Sequence, residues 1–257
     1  MSYFAMGYWV LGLSVTVSAA GALVGFTCIK QSKKSVTSRF RMVWLTAAAV
    51  SIGAIGVWLA IFVSMLGVNG PGGVSFRYDV PRLLSAAILA GLAVFAGLIF
   101  LGRTLEWLRL IGCALAMSAG LSLAMYVGMD AIQVRGSVEL RWAPIIGSIV
   151  LLIALSVATL WFILHHWPAP ALVIAALVVG LSVIGAHYLW LAGLDVRVDP
   201  RVSAPDGEDL FTFLVPMFVI GMLSLAIPIT AVLVAPDRRT SGSMPSAARG
   251  AEPEMIR

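Results

Sequence analysis

The chain has 257 residues, of which 60% are hydrophobic and 11% charged, and its mean hydropathy is +1.00. Soluble domains run at about 45–50% apolar and about 25% charged residues. No single soluble core hides this much apolar surface, so a soluble globular enzyme is excluded and a polytopic membrane protein is indicated. The formal net charge of +5 sits in loops and tail, which makes it a signal of membrane topology and not a nucleic-acid surface.

A membrane-crossing helix needs roughly 20 mostly apolar residues. Seven stretches qualify: 4–29, 42–68, 83–102, 110–132, 143–164, 171–194 and 210–234. Isolated strands would leave backbone groups unpaired in lipid, so helices are expected. The expected fold is all-α, with seven transmembrane helices in one domain over 1–234. A disordered cytoplasmic tail is expected over 235–257, where Ser, Gly, Pro and Ala mix with charge. The first span lacks a basic n-region and its positive charge follows the apolar run, so it is expected to be retained as an anchor.

Lys and Arg set the expected orientation. Eleven lie on one side: Lys30, Lys33, Lys34, Arg39, Arg41, Arg103, Arg109, Arg238, Arg239, Arg249 and Arg257. Six lie on the other: Arg77, Arg82, Arg135, Arg141, Arg197 and Arg201. The larger set is expected to be cytoplasmic, which puts the N-terminus outside and the C-terminus inside. Pro81, Pro144 and Pro170 fall near span starts, where a missing N–H costs little. Pro216 and Pro228 fall inside the seventh span and are expected to bend it. Cys28 and Cys113 lie near the cytoplasmic ends of spans and are expected to be packing residues, not a disulfide.

Three segments repeat at a regular interval. They are Ala60-Ile61-Phe62-Val63-Ser64-Met65, Ala124-Met125-Tyr126-Val127-Gly128-Met129 and Ala186-His187-Tyr188-Leu189-Trp190-Leu191. Positions 61, 125 and 187 are 64 and 62 residues apart, a period of two spans plus loops. The chain therefore reads as three helical hairpins and a seventh helix. The three segments fall in the outer halves of spans two, four and six, with the central positions roughly 10 Å below the helix ends at the rise of an α-helix. Residues four apart share a face, so 61 and 65, 125 and 129, and 187 and 191 are expected to converge if the even spans meet.

These segments resemble the MHYT domain, a bacterial integral-membrane sensor module whose repeats carry Met-His-Tyr/Phe-x-Gly-Met near the outer face. Arg41-Met-Val-Trp44-Leu45 and Ser51-Ile-Gly-Ala-Ile-Gly56-Val-Trp58 resemble its lead-in. Phe76-Arg-Tyr78-Asp79-Val-Pro81 resembles the Tyr-Asp loop that opens its third helix. The resemblance covers about residues 5–234. It implies copper binding through Met and His, and sensing of a small diatomic gas or of redox state. It also implies frequent fusion to a cyclic-dinucleotide enzyme or kinase; only the tail follows the seventh span here, so the signal is expected to pass to a separate membrane or cytoplasmic partner, through the loop 30–41 or the tail. This sequence departs from the family pattern. The first Met is Ala60, Ala124 and Ala186; the His is Ile61 in one copy, Met125 in another, and survives as His187.

The metal candidates implied are His187, Met125, Met129 and Met65, a soft set suited to Cu(I), with Tyr126 and Tyr188 as ligand-orienting residues. His187 is also the one ionisable side chain expected deep in a span, a position that is functional by default. Each has a plainer reading. Met fills apolar interfaces, His187 bonds a helix carbonyl or Tyr across the bundle, and the tyrosines belong to an interfacial belt. Asp130 is expected to face water or Arg135. His165 and His166 are expected to anchor a span end at the interface. No phosphate loop, nucleophile–base pair or intramembrane carboxylate pair supports catalysis. Three function classes follow: a sensor or ligand-binding module, a noncatalytic accessory subunit, and, least supported, a transporter.

Overall fold

The computed structural model describes residues 6–69, 76–102, 105–134, 136–165, 167–198 and 207–234. The expected tail, His166 and Arg135 lie outside the described residues. Seven helices long and apolar enough to cross a bilayer follow in order: α1 (Trp9–Lys34), α2 (Ser38–Met65), α3 (Val80–Leu101), α4 (Trp107–Asp130), α5 (Trp142–Leu164), α6 (Ala169–Ala192) and α7 (Leu210–Val234). They match the seven expected spans one for one, and the protein is an all-α, polytopic membrane fold.

Local chemistry moves several helix ends away from the edges of the apolar runs. Helix α1 continues past residue 29 through Lys34, placing Lys33 and Lys34 in its last turn, where cations complement the helix dipole. Helix α2 starts earlier than expected, at Ser38, because Thr37 caps it by accepting from the Phe40 N–H. Asp79 caps α3 in the same way, accepting from Arg82 N at 3.2 Å, with Pro81 in the first turn. Helix α7 continues as a helix through Pro216 and Pro228.

Helix α2 is the centre of the bundle: 78% of its apolar window is buried, against 17% for α7. Its middle, Val50–Leu59, is wound as a wide π-helix, and Ala60 N–H donates to the Ile55 carbonyl five residues back. Hydrophobic periodicity did not announce this segment, because it is apolar on every side. Its glycines suit the crowding there. A Cβ on Gly53 would meet the Ala90 carbonyl oxygen of α3 at 2.5 Å, and one on Gly21 of α1 would meet Ser51 O at 2.5 Å. Small residues let helix backbones approach this closely in membranes.

The helices pack as the repeat implies, α1 with α2, α3 with α4 and α5 with α6, and α1 also runs along α6. Helix α2 touches α4 and α6, so the even spans meet around it. At one end of the bundle, two antiparallel ladders join the loops: β1 (Arg77–Tyr78) with β2 (Ile132–Gln133), and β3 (Gly136–Leu140) with β4 (Leu194–Val198). They were not expected. The alternation of Val138, Leu140, Leu194 and Val196 with polar neighbours suits strands, and pairing satisfies loop backbone groups. We call this the ladder face; the opposite end, with Lys30–Lys34, is the lysine face.

Candidate functional site

The three repeated segments occupy the ladder-face ends of α2, α4 and α6. The first two come together. A narrow cavity of about 20 Å³ is lined by Ile61 and Met65 of α2 and by Ala124, Met125, Gly128 and Met129 of α4, with Trp58, Phe62 and Ala90 completing it. The i and i+4 positions of both copies thus face one space, as the shared-face argument requires. Met65 and Met125 are buried and Met129 is half-buried.

The third copy faces elsewhere. His187 is fully buried, yet it does not line this cavity. Neither of its ring nitrogens has a hydrogen-bond partner, so the expected bond to a carbonyl or Tyr is not made. Trp190, three residues on and on the same helical face, is also buried with an unpartnered indole N–H. Tyr188 is half-buried, its ring 5.6 Å from that of His187. Tyr126 is 49% exposed, does not line the cavity and has the exposure of a belt residue. The sequence-derived set is therefore split into a thioether cavity, containing Met65, Met125 and Met129, and a separate imidazole–indole face on α6.

The two are linked through α5. Ser148 donates to the Ala186 carbonyl at 2.8 Å, and its Oγ lies 3.8 Å from Met125 Sδ. Ser148 is fully buried. It connects the second copy to the residue before His187.

The donor set suits copper only in part. The thioethers lining the cavity are soft donors of the kind that hold Cu(I), but the imidazole of the sequence-derived set, His187, does not line it. Among the described residues, no three His, Cys, Asp or Glu side chains gather in a metal-binding group. Cys28 and Cys113 are free and buried.

Residues outside the repeats form a roof on the ladder-face side. Phe62, which lines the cavity, packs edge-on against Tyr78 and Phe213, with centroids 6.4 and 5.9 Å away, and Tyr78 lies 5.5 Å from Phe213. Tyr78 exchanges two 3.0 Å backbone bonds with Glu208, and Asp79 N–H donates to the Ala131 carbonyl at 3.0 Å. Arg82 bridges Asp79 and Asp130 at 3.2 and 3.1 Å; Asp130 therefore has an ion pair other than the expected Arg135. Burial pushes the Tyr78 phenol well above its ordinary range near 10. The Tyr78-Asp79 pair carried part of the family resemblance, but nothing in the sequence showed that its ring would cover the repeats.

Comparison with known proteins agrees with this architecture. Residues 119–176, which contain the second copy, match the family model MHYT, a bacterial signalling protein N-terminal repeat. The chain is similar to the bifunctional diguanylate cyclase/cyclic di-GMP phosphodiesterase MucR of Pseudomonas aeruginosa, with 28% identity covering 91% of this chain. It spans 35% of that relative's length. No solved structure matches the chain. The chain is a seven-helix membrane protein whose residues 119–176 are similar to the MHYT repeat of bacterial signalling proteins.

Proposed function

We propose that this protein is a noncatalytic sensor module of the bacterial plasma membrane, whose stimulus is a small uncharged molecule held in the thioether cavity. The observation that carries the reading is the convergence of equivalent positions of two repeats, Ile61 with Met65 and Met125 with Met129, on one narrow apolar space. A dry apolar cavity binds small neutral molecules without desolvating polar groups. A diatomic gas is the chemical class that suits so small a volume. Polarizable thioethers improve dispersion contacts with such a guest. The charge asymmetry of the loops supports placing the ladder face outside and the lysine face in the cytoplasm. On this reading occupancy changes the packing of α2 against α4, and a partner protein on the cytoplasmic side takes up the change. The relative's enzymatic name supports cyclic-dinucleotide signalling as the setting.

The test is xenon, a neutral probe, added to protein labelled with [methyl-13C]methionine in detergent. Saturable shifts confined to Met65, Met125 and Met129 support the reading; shifts linear in xenon and equal for all methionines overturn it. Metal analysis of the purified protein separates it from the copper reading. Stoichiometric copper that disappears in His187→Ala contradicts a neutral-ligand site. The alternative, an accessory subunit, draws on α7, whose apolar window is 17% buried and which offers most of its surface to lipid or a partner. It predicts stable co-purification with a second membrane protein and no effect of xenon on that association.

A further inference from the structure

The lysine face holds a second and larger space, between α1, the end of α5 and the start of α6. Its volume is about 680 Å³, within the range of about 300–1,000 Å³ typical of ligand sites. Its rim is basic. Lys30, Lys33 and Lys34 line it from one helix, because α1 stays helical beyond its apolar run and stacks them at i, i+3 and i+4. Lys33 Nζ donates to the main-chain carbonyl of Ile163 in the last turn of α5, which docks α1 against α5. Among the described residues, no carboxylate pairs with any of these lysines; the ion pairs found there involve Arg77 and Arg82 on the other face. Like charges at this spacing repel, and an anion among them relieves that repulsion.

Apart from His165, whose Nδ1 lies 2.9 Å from the Trp161 carbonyl oxygen, the rest of the lining is apolar. Phe162 and Trp167 stack at 5.2 Å with an interplanar angle of 3°, and Phe26 packs on Phe162 at 5.6 Å. Trp167 Nε1 donates to the Phe162 carbonyl at 3.1 Å, so its donor is already used and its ring serves as wall. A free phosphate would engage the lysines and leave this wall wet. An amphiphile uses both. The pocket lies at the lysine-face end of α1, α5 and α6, and basic pockets between transmembrane helices suit anionic headgroups.

We propose that this pocket is a binding site for an anionic phospholipid, with the phosphate among Lys30, Lys33 and Lys34 and the first acyl carbons against Phe26, Phe162 and Trp167. The site is independent of the thioether cavity on the other face. The experiment is native mass spectrometry of the full chain released from mild detergent after incubation with phosphatidylglycerol or phosphatidylcholine, with and without excess inorganic phosphate. The double variant Lys30→Gln/Lys34→Gln removes two exposed charges, and an unchanged melting temperature establishes that it folds. Retention of phosphatidylglycerol is expected to exceed that of phosphatidylcholine by about tenfold or more, given the attraction each lysine exerts on anionic lipid, and to fall by a similar factor in the variant. Equal retention of the two lipids, or retention indifferent to the double substitution, overturns the proposal. Displacement of the lipid by inorganic phosphate also overturns it and assigns the site to a soluble phosphate instead.

Discussion

Ser148 on α5 hydrogen-bonds the carbonyl of Ala186 on α6 at 2.8 Å. The same hydroxyl stands 3.8 Å from Met125 Sδ, so one fully buried serine couples the second repeat to the third. Interhelical side-chain bonds in membranes are modest in energy but directional. Ser148→Ala is expected to cost about 0.5–1.5 kcal/mol, measured as a lower melting temperature in detergent. It should also shift the Met125 methyl resonance while leaving Met65 in place. A variant as stable as the parent, with Met125 unmoved, would show that the link carries no energy.

His187 is buried with both nitrogens unpartnered. An orphaned polar group in an apolar interior destabilises, and an apolar replacement of similar volume removes that cost. His187→Leu is therefore expected to stabilise the protein by about 1–3 kcal/mol. A loss of stability on this substitution would mean that the imidazole has a partner, and copper content would be the first property to measure.

Two glycines of the bundle should respond in opposite ways to a methyl group. A Cβ on Gly128, which lines the cavity, finds only ordinary contacts, with Ala86 Cβ at 3.7 Å and Phe62 Cζ at 3.8 Å. Gly128→Ala is expected to be neutral or to stabilise by about 0.5–1 kcal/mol through the backbone entropy of glycine. A Cβ on Gly53 strikes the Ala90 backbone at 2.5 Å. Gly53→Ala is expected to cost about 1–3 kcal/mol by overpacking, or more if α3 cannot shift. Thermal denaturation of the two single variants checks the contrast.

Tyr78 supplies a pH dependence. Burial holds its phenol in the neutral form above the ordinary value near 10. The unfolded chain then releases a proton that the folded chain keeps, so stability is full below about pH 10 and falls as pH rises above that value. Alkaline melting curves of wild type and Tyr78→Phe should diverge there, with the wild type losing more. Parallel curves would place the Tyr78 hydroxyl in contact with water.

Hydropathy alone made the seven spans legible, because length and apolarity are what a bilayer demands. The pairing of spans into hairpins was legible from the 64- and 62-residue spacing of positions 61, 125 and 187. The convergence of Met65, Met125 and Met129 on one cavity was legible too, because helical phase brings i and i+4 together. The placement of His187 did not follow, since the third copy has the same phase as the others but α6 packs along α1. The π segment of α2 and the aromatic contact of Tyr78 with Phe62 and Phe213 were also hidden. Both arise from tertiary packing among residues that are uniformly apolar or far apart in sequence. The continuation of α1 through Lys34 escaped notice because hydropathy ends a span where charge begins, while the helix itself does not.

The most direct measurement is a xenon titration of [methyl-13C]methionine-labelled protein, wild type against Gly128→Ala. The account predicts saturable shifts of Met65, Met125 and Met129 in the wild type and their weakening once a methyl is added to the cavity wall at Gly128. Shifts that are linear in xenon, or equally strong in both proteins, would contradict a ligand site at the meeting of the first two repeats.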